Sequence, residues 1–191
     1  MLVLPRMNNI ELLIVNLTDI HIRDYADFYV LSERIGSIGG AICNHITAPD
    51  ETKVLFCVTG DFVFSGKDDQ YAAIGMILED IYSLIKSRFS QVDICPVFVP
   101  GNHDCDFDAE GASVRDALLK SSILDISDVS QLKVCTSIQK GFFDFCDEWN
   151  EKFNAMFCEN DKVLTVNELN FEKENINIKF HCDYNILLFF V

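Results

Sequence analysis

A chain of 191 residues, 49% hydrophobic and 24% charged, has the length and apolar content of one α/β domain with a substantial core. Its 30 acidic against 15 basic residues leave a formal net charge of −15, which repels nucleic-acid phosphates and anionic membranes and argues against passive DNA coating. Eight cysteines without a C-x-x-C pair argue against a structural zinc site, and no apolar stretch reaches the ~20 residues that span a bilayer; with no basic-then-apolar leader, the expectation is a cytoplasmic protein with reduced thiols.

Residues 10–17 (IELLIVNL) form the first predicted strand, a short apolar run followed by polar residues. Phe28, Leu31, Ile35, Ile38 and Ile42 then recur at helical spacing, with Asp24 and Asp27 as capping residues and Gly36, Gly39 and Gly40 weakening the pattern. His45 falls at the end of this helix and has no assigned chemistry. Residues 53–59 (KVLFCVT) are the second strand, closed by Gly60. Ile74, Ile77, Leu78, Ile81, Leu84 and Ile85 form a second helical stripe, with Asp68 or Asp69 as its N-cap. Residues 94–99 (ICPVFV) are the third strand, closed by Pro100-Gly101. Near-continuous apolar runs predict strands covered on both faces, and the β-α-β-α-β order predicts a parallel sheet with crossover helices. Farther on, residues 112–120 predict a short helix, and residues 129–157 contain a helix rich in aromatics, including Phe142, Phe143, Phe145, Trp149 and Phe153. Residues 163–166 and 176–181 read as strands. Residues 186–191 are all apolar and read as a strand cut short rather than a membrane anchor.

Three motifs follow the three predicted strands: Asp19-Ile20-His21, Gly60-Asp61 and Gly101-Asn102-His103-Asp104. In open parallel sheets, ligands bind at the carboxyl ends of the strands. Asp19 and His21 point to the same side if the extended backbone continues past its strand. A carboxylate oxygen with an imidazole nitrogen suits Mn, Fe or Zn. Gly60 permits a tight turn, after which Asp61 is the central candidate for bridging two metals ~3.5–4 Å apart. Asn102 offers a neutral carbonyl oxygen. His103 and Asp104 are the candidate catalytic residues: His103 as proton donor, Asp104 as its partner or as a tie to nearby backbone that holds the loop. Asp106 and Asp108 are expected to be solvated loop acids, though either could face a metal. Cys105 abuts the site and is expected to be oxidation-prone. Taken singly, Asp-x-His and Gly-Asp are ordinary; Gly-Asn-His-Asp after Val-Pro is far more specific, and the ordered set suits two-metal phosphate-ester hydrolysis.

On these residues, and on the fuller strings TGDFVFSGKDDQY and PVFVPGNHDCD, the chain resembles the calcineurin-like metallophosphoesterase superfamily, whose ordered motifs include D-x-H, G-D and G-N-H-D/E. The strings are similar to its cyclic-nucleotide phosphodiesterase and nuclease-like branches. The resemblance covers about residues 10–108. It implies a four-layer α-β-β-α sandwich with two divalent metal ions. Asp19 and His21 would bind the first metal, Asp61 would bridge, Asn102 would bind the second, and His103 would protonate the leaving group or stabilise the transition state. The implied substrate is a phosphate ester: a nucleotide, a nucleic-acid end, a phosphoprotein or a small phosphomonoester, with no membrane partner. The family pattern continues with a further His and a Gly-His-x-His segment. Here only His45 and His181 remain, and no Gly-His-x-His occurs. The expectation is therefore a C-terminally truncated catalytic domain of weak or absent turnover, completed by missing sequence, an additional domain or a partner. The alternative is a non-catalytic binding or scaffold protein on the same fold, or an inactive fragment.

Overall fold

Strands β1 (Glu11–Leu17), β2 (Thr52–Thr59) and β3 (Asp93–Val99) pair in parallel in that order, connected by helices α1 (Tyr25–His45) and α2 (Asp68–Arg88). This computed structural model describes residues 11–121, 125 and 128–157 in full, and the strand backbone over 165–170, 177–182 and 186–190. Leu13, Val15 and Leu17 align with Val54, Phe56 and Val58, and these with Ile94, Pro96 and Phe98. Residues two apart share a face of a strand, so this register builds one apolar face across the sheet. Two successive crossovers of one hand place both helices on the same side of a sheet so ordered, and α1 and α2 do pack against each other. Ile74, Leu78, Ile81 and Ile85 of α2 are fully buried with Val58, Phe56 and Phe98 beneath them.

Coverage on both faces holds for β3 only, whose five inner residues are all buried. In β2 burial alternates, and in β1 Leu12 and Ile14 of the opposite face are 48% and 60% exposed. The helices cover one side, and β1 lies at the edge of its sheet while β3 contacts a further strand.

Asp24 caps α1, accepting from the backbone N–H of Ala26 (2.8 Å) and Asp27 (3.2 Å). The glycines do not interrupt the helix, and Gly39 has a packing role: a Cβ there would stand 2.9 Å from Leu84 Cδ2 on α2. Gly39→Val should therefore lower stability by ~1–3 kcal/mol through forced separation of the two helices. An unchanged urea midpoint would show that the interface has slack. The N-cap of α2 is Lys67, not Asp68 or Asp69; both aspartates lie inside the first turn, where their charge meets the positive end of the helix.

The predicted helix over residues 112–120 is α3 (Ala112–Lys120). The aromatic-rich stretch divides into α4 (Val129–Thr136), a 3₁₀ turn (Ser137–Gln139) and α5 (Lys140–Phe157). Helix α5 packs on α2, burying Phe142, Phe145, Cys146, Trp149 and Phe153. Its rings meet at tilted and edge-on geometries, such as Tyr82–Trp149 at 5.5 Å and Phe62–Phe142 at 5.6 Å between centroids.

A second sheet is antiparallel: β4 (Thr165–Asn170), β5 (Asn177–Cys182) and β6 (Ile186–Phe190). Each overlaps a predicted strand; residues 163, 164, 176 and 191 lie outside the described residues. Strand β4 contacts both β3 and α5. The molecule is thus α/β, with a parallel sheet under helices, in keeping with a metallophosphoesterase fold. No helix among the described residues is long and apolar enough to cross a membrane.

Candidate metal centre

The loops after β1, β2 and β3 are laced together by backbone hydrogen bonds. The amides of Asp19, His21 and Ile22 donate to the carbonyls of Gly60, Asp61 and Phe62 at 3.3, 3.0 and 3.2 Å. Gly60 N–H donates to Val99 O (2.7 Å), and Thr18 Oγ1 to Thr59 O (2.8 Å). The extended continuation expected through Asp19 and His21 does not occur. Asp19, His21 and Asp61 all adopt left-handed backbone, with φ of 54°, 53° and 53°. Asp and His tolerate that region better than most side chains, but it still costs on the order of 1–3 kcal/mol each and persists only where the surroundings hold it. Here the lacing bonds do so, and the turned backbone brings the side chains together.

His21 Nε2 lies 3.8 Å from Asp61 Oδ2 and 3.9 Å from Asp19 Oδ1, converging on both carboxylates without a hydrogen bond to either. The His21 and His103 rings stand perpendicular with centroids 4.7 Å apart. His21, Asp61 and His103 each present a ligating atom within 4.8 Å of the others. The other Asp61 oxygen accepts from the His103 backbone N–H at 2.9 Å. His103 Nδ1 lies 2.9 Å from the Phe64 carbonyl. A carbonyl only accepts, so Nδ1 carries the hydrogen and Nε2 is left for the site. His21 Nδ1 is buried without a hydrogen-bond partner among the described residues. Two imidazoles and a carboxylate that converge without bonding through these atoms form a donor set that fits a borderline divalent metal. Gly101 makes the approach possible: a Cβ there would collide with the Asp61 carboxylate and stand 2.5 Å from its amide nitrogen.

Of the residues expected at the site, His21, Asp61 and His103 are brought together, and Asp19 joins at the exposed side of His21. Asn102 is exposed on the rim of a cavity of about 200 Å³ shared with Ser65, His103 and Asp106. Asp104 is placed differently from the catalytic pairing with His103. It is 0% exposed, and its carboxylate accepts from the N–H of Gly101 (2.8 Å), Val63 (3.2 Å) and Phe62 (3.3 Å) and from the Tyr71 hydroxyl (3.4 Å). Burial raises its pKa, opposed by those N–H donors. It is a tie between loops, the backbone role, and does not touch His103's ring nitrogens. Asp106 is 2.6 Å and Asp108 3.7 Å from Lys67 Nζ, so a lysine, not a metal, faces both. Cys105 is buried and its thiol is pushed up by burial, the opposite of an oxidation-prone thiolate. His45 is the exposed last residue of α1, and His181 lies in β5 paired with Thr165 and Leu187. Sequence reasoning passed over Phe64, Lys67 and Tyr71. All three lie in or beside the string GDFVFSGKDDQY that carried the resemblance, and that proximity was the available signal.

Compared with known families, residues 12–186 match the model described as Calcineurin-like phosphoesterase. The match runs well past the stretch that holds the three motifs. No curated protein matches the chain, and no solved structure does.

Proposed function

The chain belongs to the calcineurin-like phosphoesterase family, and on that premise we propose that it hydrolyses a phosphate ester at a centre for two divalent ions (Mn, Fe or Zn) held by Asp19, His21, Asp61 and Asn102. The observation that carries this reading is the convergence of His21, Asp61 and His103 within 4.8 Å on strained, mutually braced loops. Divalent cations bound there would polarise the phosphoryl oxygens and activate water for in-line attack. Asp61 faces His21 with one oxygen and the His103 amide with the other, which suits it to the bridging position. His103, with Nδ1–H anchored on Phe64, is oriented to give a proton from Nε2 to the leaving oxygen. Asn102 offers its side-chain oxygen from the rim. The net charge of −15 favours a small ester or a chain end over a grip on long nucleic acid.

The test is hydrolysis of bis(p-nitrophenyl) phosphate and p-nitrophenyl phosphate by monodisperse protein with added Mn²⁺, beside His103→Ala. The expected result is weak but Mn²⁺-dependent turnover, reduced ~10²-fold or more by His103→Ala. No turnover from folded protein with metal supplied would overturn the reading. It would favour a binding module on this fold, in keeping with the missing Gly-His-x-His segment.

A further inference from the structure

Phe64 is 47% exposed although it sits against both imidazoles of the site. Its ring stacks on His103 at 5.1 Å and 30°, and meets His21 edge-on at 6.4 Å. Its backbone is fixed at both ends: the N–H donates to Ile22 O at 3.0 Å, and the carbonyl accepts from His103. The ring therefore cannot withdraw into the core without releasing His103. It also forms a wall shared by two cavities. The smaller, about 200 Å³, is lined by polar and acidic groups including Asn102, Asp106 and Asp108. The larger, about 490 Å³, has Ile20, Val30 and Leu31 as apolar walls and reaches both His21 and His103. Arg23 lines it too, with its guanidinium held by Asp27 at 3.0 Å. That volume falls in the range of small-molecule sites. An aromatic wall, aliphatic sides and a fixed cation beside two site imidazoles match one kind of ligand: an anionic ester with a flat organic half.

Resting on the phosphoesterase reading above, we propose that Phe64, with Ile20, Val30 and Leu31, forms a subsite for the alcohol half of the substrate, and that this half carries a planar aromatic ring, aryl or nucleoside. Arg23 meets the negative charge of the ester. In the reaction, water adds its oxygen to phosphorus, the bond from phosphorus to the ring-bearing alcohol breaks, and that alcohol oxygen takes up a proton.

The test is calorimetric binding, in the presence of Mn²⁺, of inorganic phosphate, methyl phosphate, phenyl phosphate and adenosine 5′-monophosphate to the whole chain and to Phe64→Ala and Phe64→Tyr. The alanine variant keeps the carbonyl that holds His103, so the effect of the ring is isolated. The whole chain should bind the ring-bearing esters about tenfold more tightly than methyl phosphate, since stacking of a base on an aromatic residue is worth roughly that or more. Phe64→Ala should erase this preference and leave phosphate affinity unchanged, while Phe64→Tyr should retain it. Preference for adenosine monophosphate over phenyl phosphate identifies the ring as a nucleoside; the reverse identifies a simple aryl ester, and either supports the subsite. Equal affinity for methyl and ring-bearing esters, an equal loss for phosphate in Phe64→Ala, or no binding of any ester overturns it. Hydrolysis is scored separately. The ring preference without turnover keeps the subsite and sinks the hydrolase reading; turnover without the preference does the reverse.

Discussion

Asp61→Asn is expected to cut metal-dependent ester hydrolysis by about 10²-fold or more while leaving thermal stability nearly unchanged. The two effects separate because the amide keeps one of the two roles of this side chain. Its carbonyl oxygen still accepts from the His103 N–H, now at 2.9 Å, and asparagine tolerates the left-handed backbone at this position as well as aspartate does. What disappears is the negative charge that faces His21 Nε2 at 3.8 Å. A folded protein with a normal loop and no bridging charge is the result. Added Mn²⁺ raises the melting temperature of the unsubstituted protein if it binds the folded state, and that rise should vanish in Asp61→Asn. An unchanged rate would remove Asp61 from the site.

Asp104→Ala should act mainly on stability, with a loss of ~3–5 kcal/mol. Three backbone N–H groups and the Tyr71 hydroxyl share this one carboxylate in an interior with no solvent access. Truncation leaves them without an acceptor, at ~1–3 kcal/mol for each group left unsatisfied, moderated by relaxation. The loss is a large part of the 5–15 kcal/mol that holds a typical domain together. Asp104→Asn keeps one acceptor oxygen but turns an amide N–H₂ toward groups that are themselves donors, so it should fall between. Urea midpoints in the order unsubstituted, Asn, Ala would support the tie. An Ala variant as stable as the unsubstituted chain would show that water or neighbouring carbonyls take over the donors.

Much of the fold was legible because β1, β2 and β3 are short apolar runs ended by polar or glycine residues, and because Asp24 is a cap in sequence and in space. The second cap was misread for a reason outside the local string. Asp68 and Asp69 look like capping residues, but the helix begins with them, and the lysine before them is drawn to Asp106 across the loops. Burial of β1 was misjudged since an apolar run does not say which strand stands at an edge. At the site, the spacing of the motifs identified His21, Asp61 and His103 but not the backbone that unites them. Left-handed φ at three non-glycine residues follows from hydrogen bonds between segments some 40 residues apart. Local pattern carries no trace of those bonds. The same holds for the Phe64 carbonyl on His103 and for Asp104, whose partners at residues 62, 63 and 71 come from another loop and helix.

Trp149 is the sole tryptophan of the chain, 3% exposed on α5 and set among Tyr82, Phe98, Phe145 and Phe153. The protein therefore carries a single indole fluorophore at the seam where α5 meets α2 and the sheet. Its emission maximum reports whether that seam is dry, and tyrosine excitation from Tyr82 at 5.5 Å reports its closure by energy transfer. Detachment of the aromatic helix can thus be followed optically, apart from events at the phosphate site.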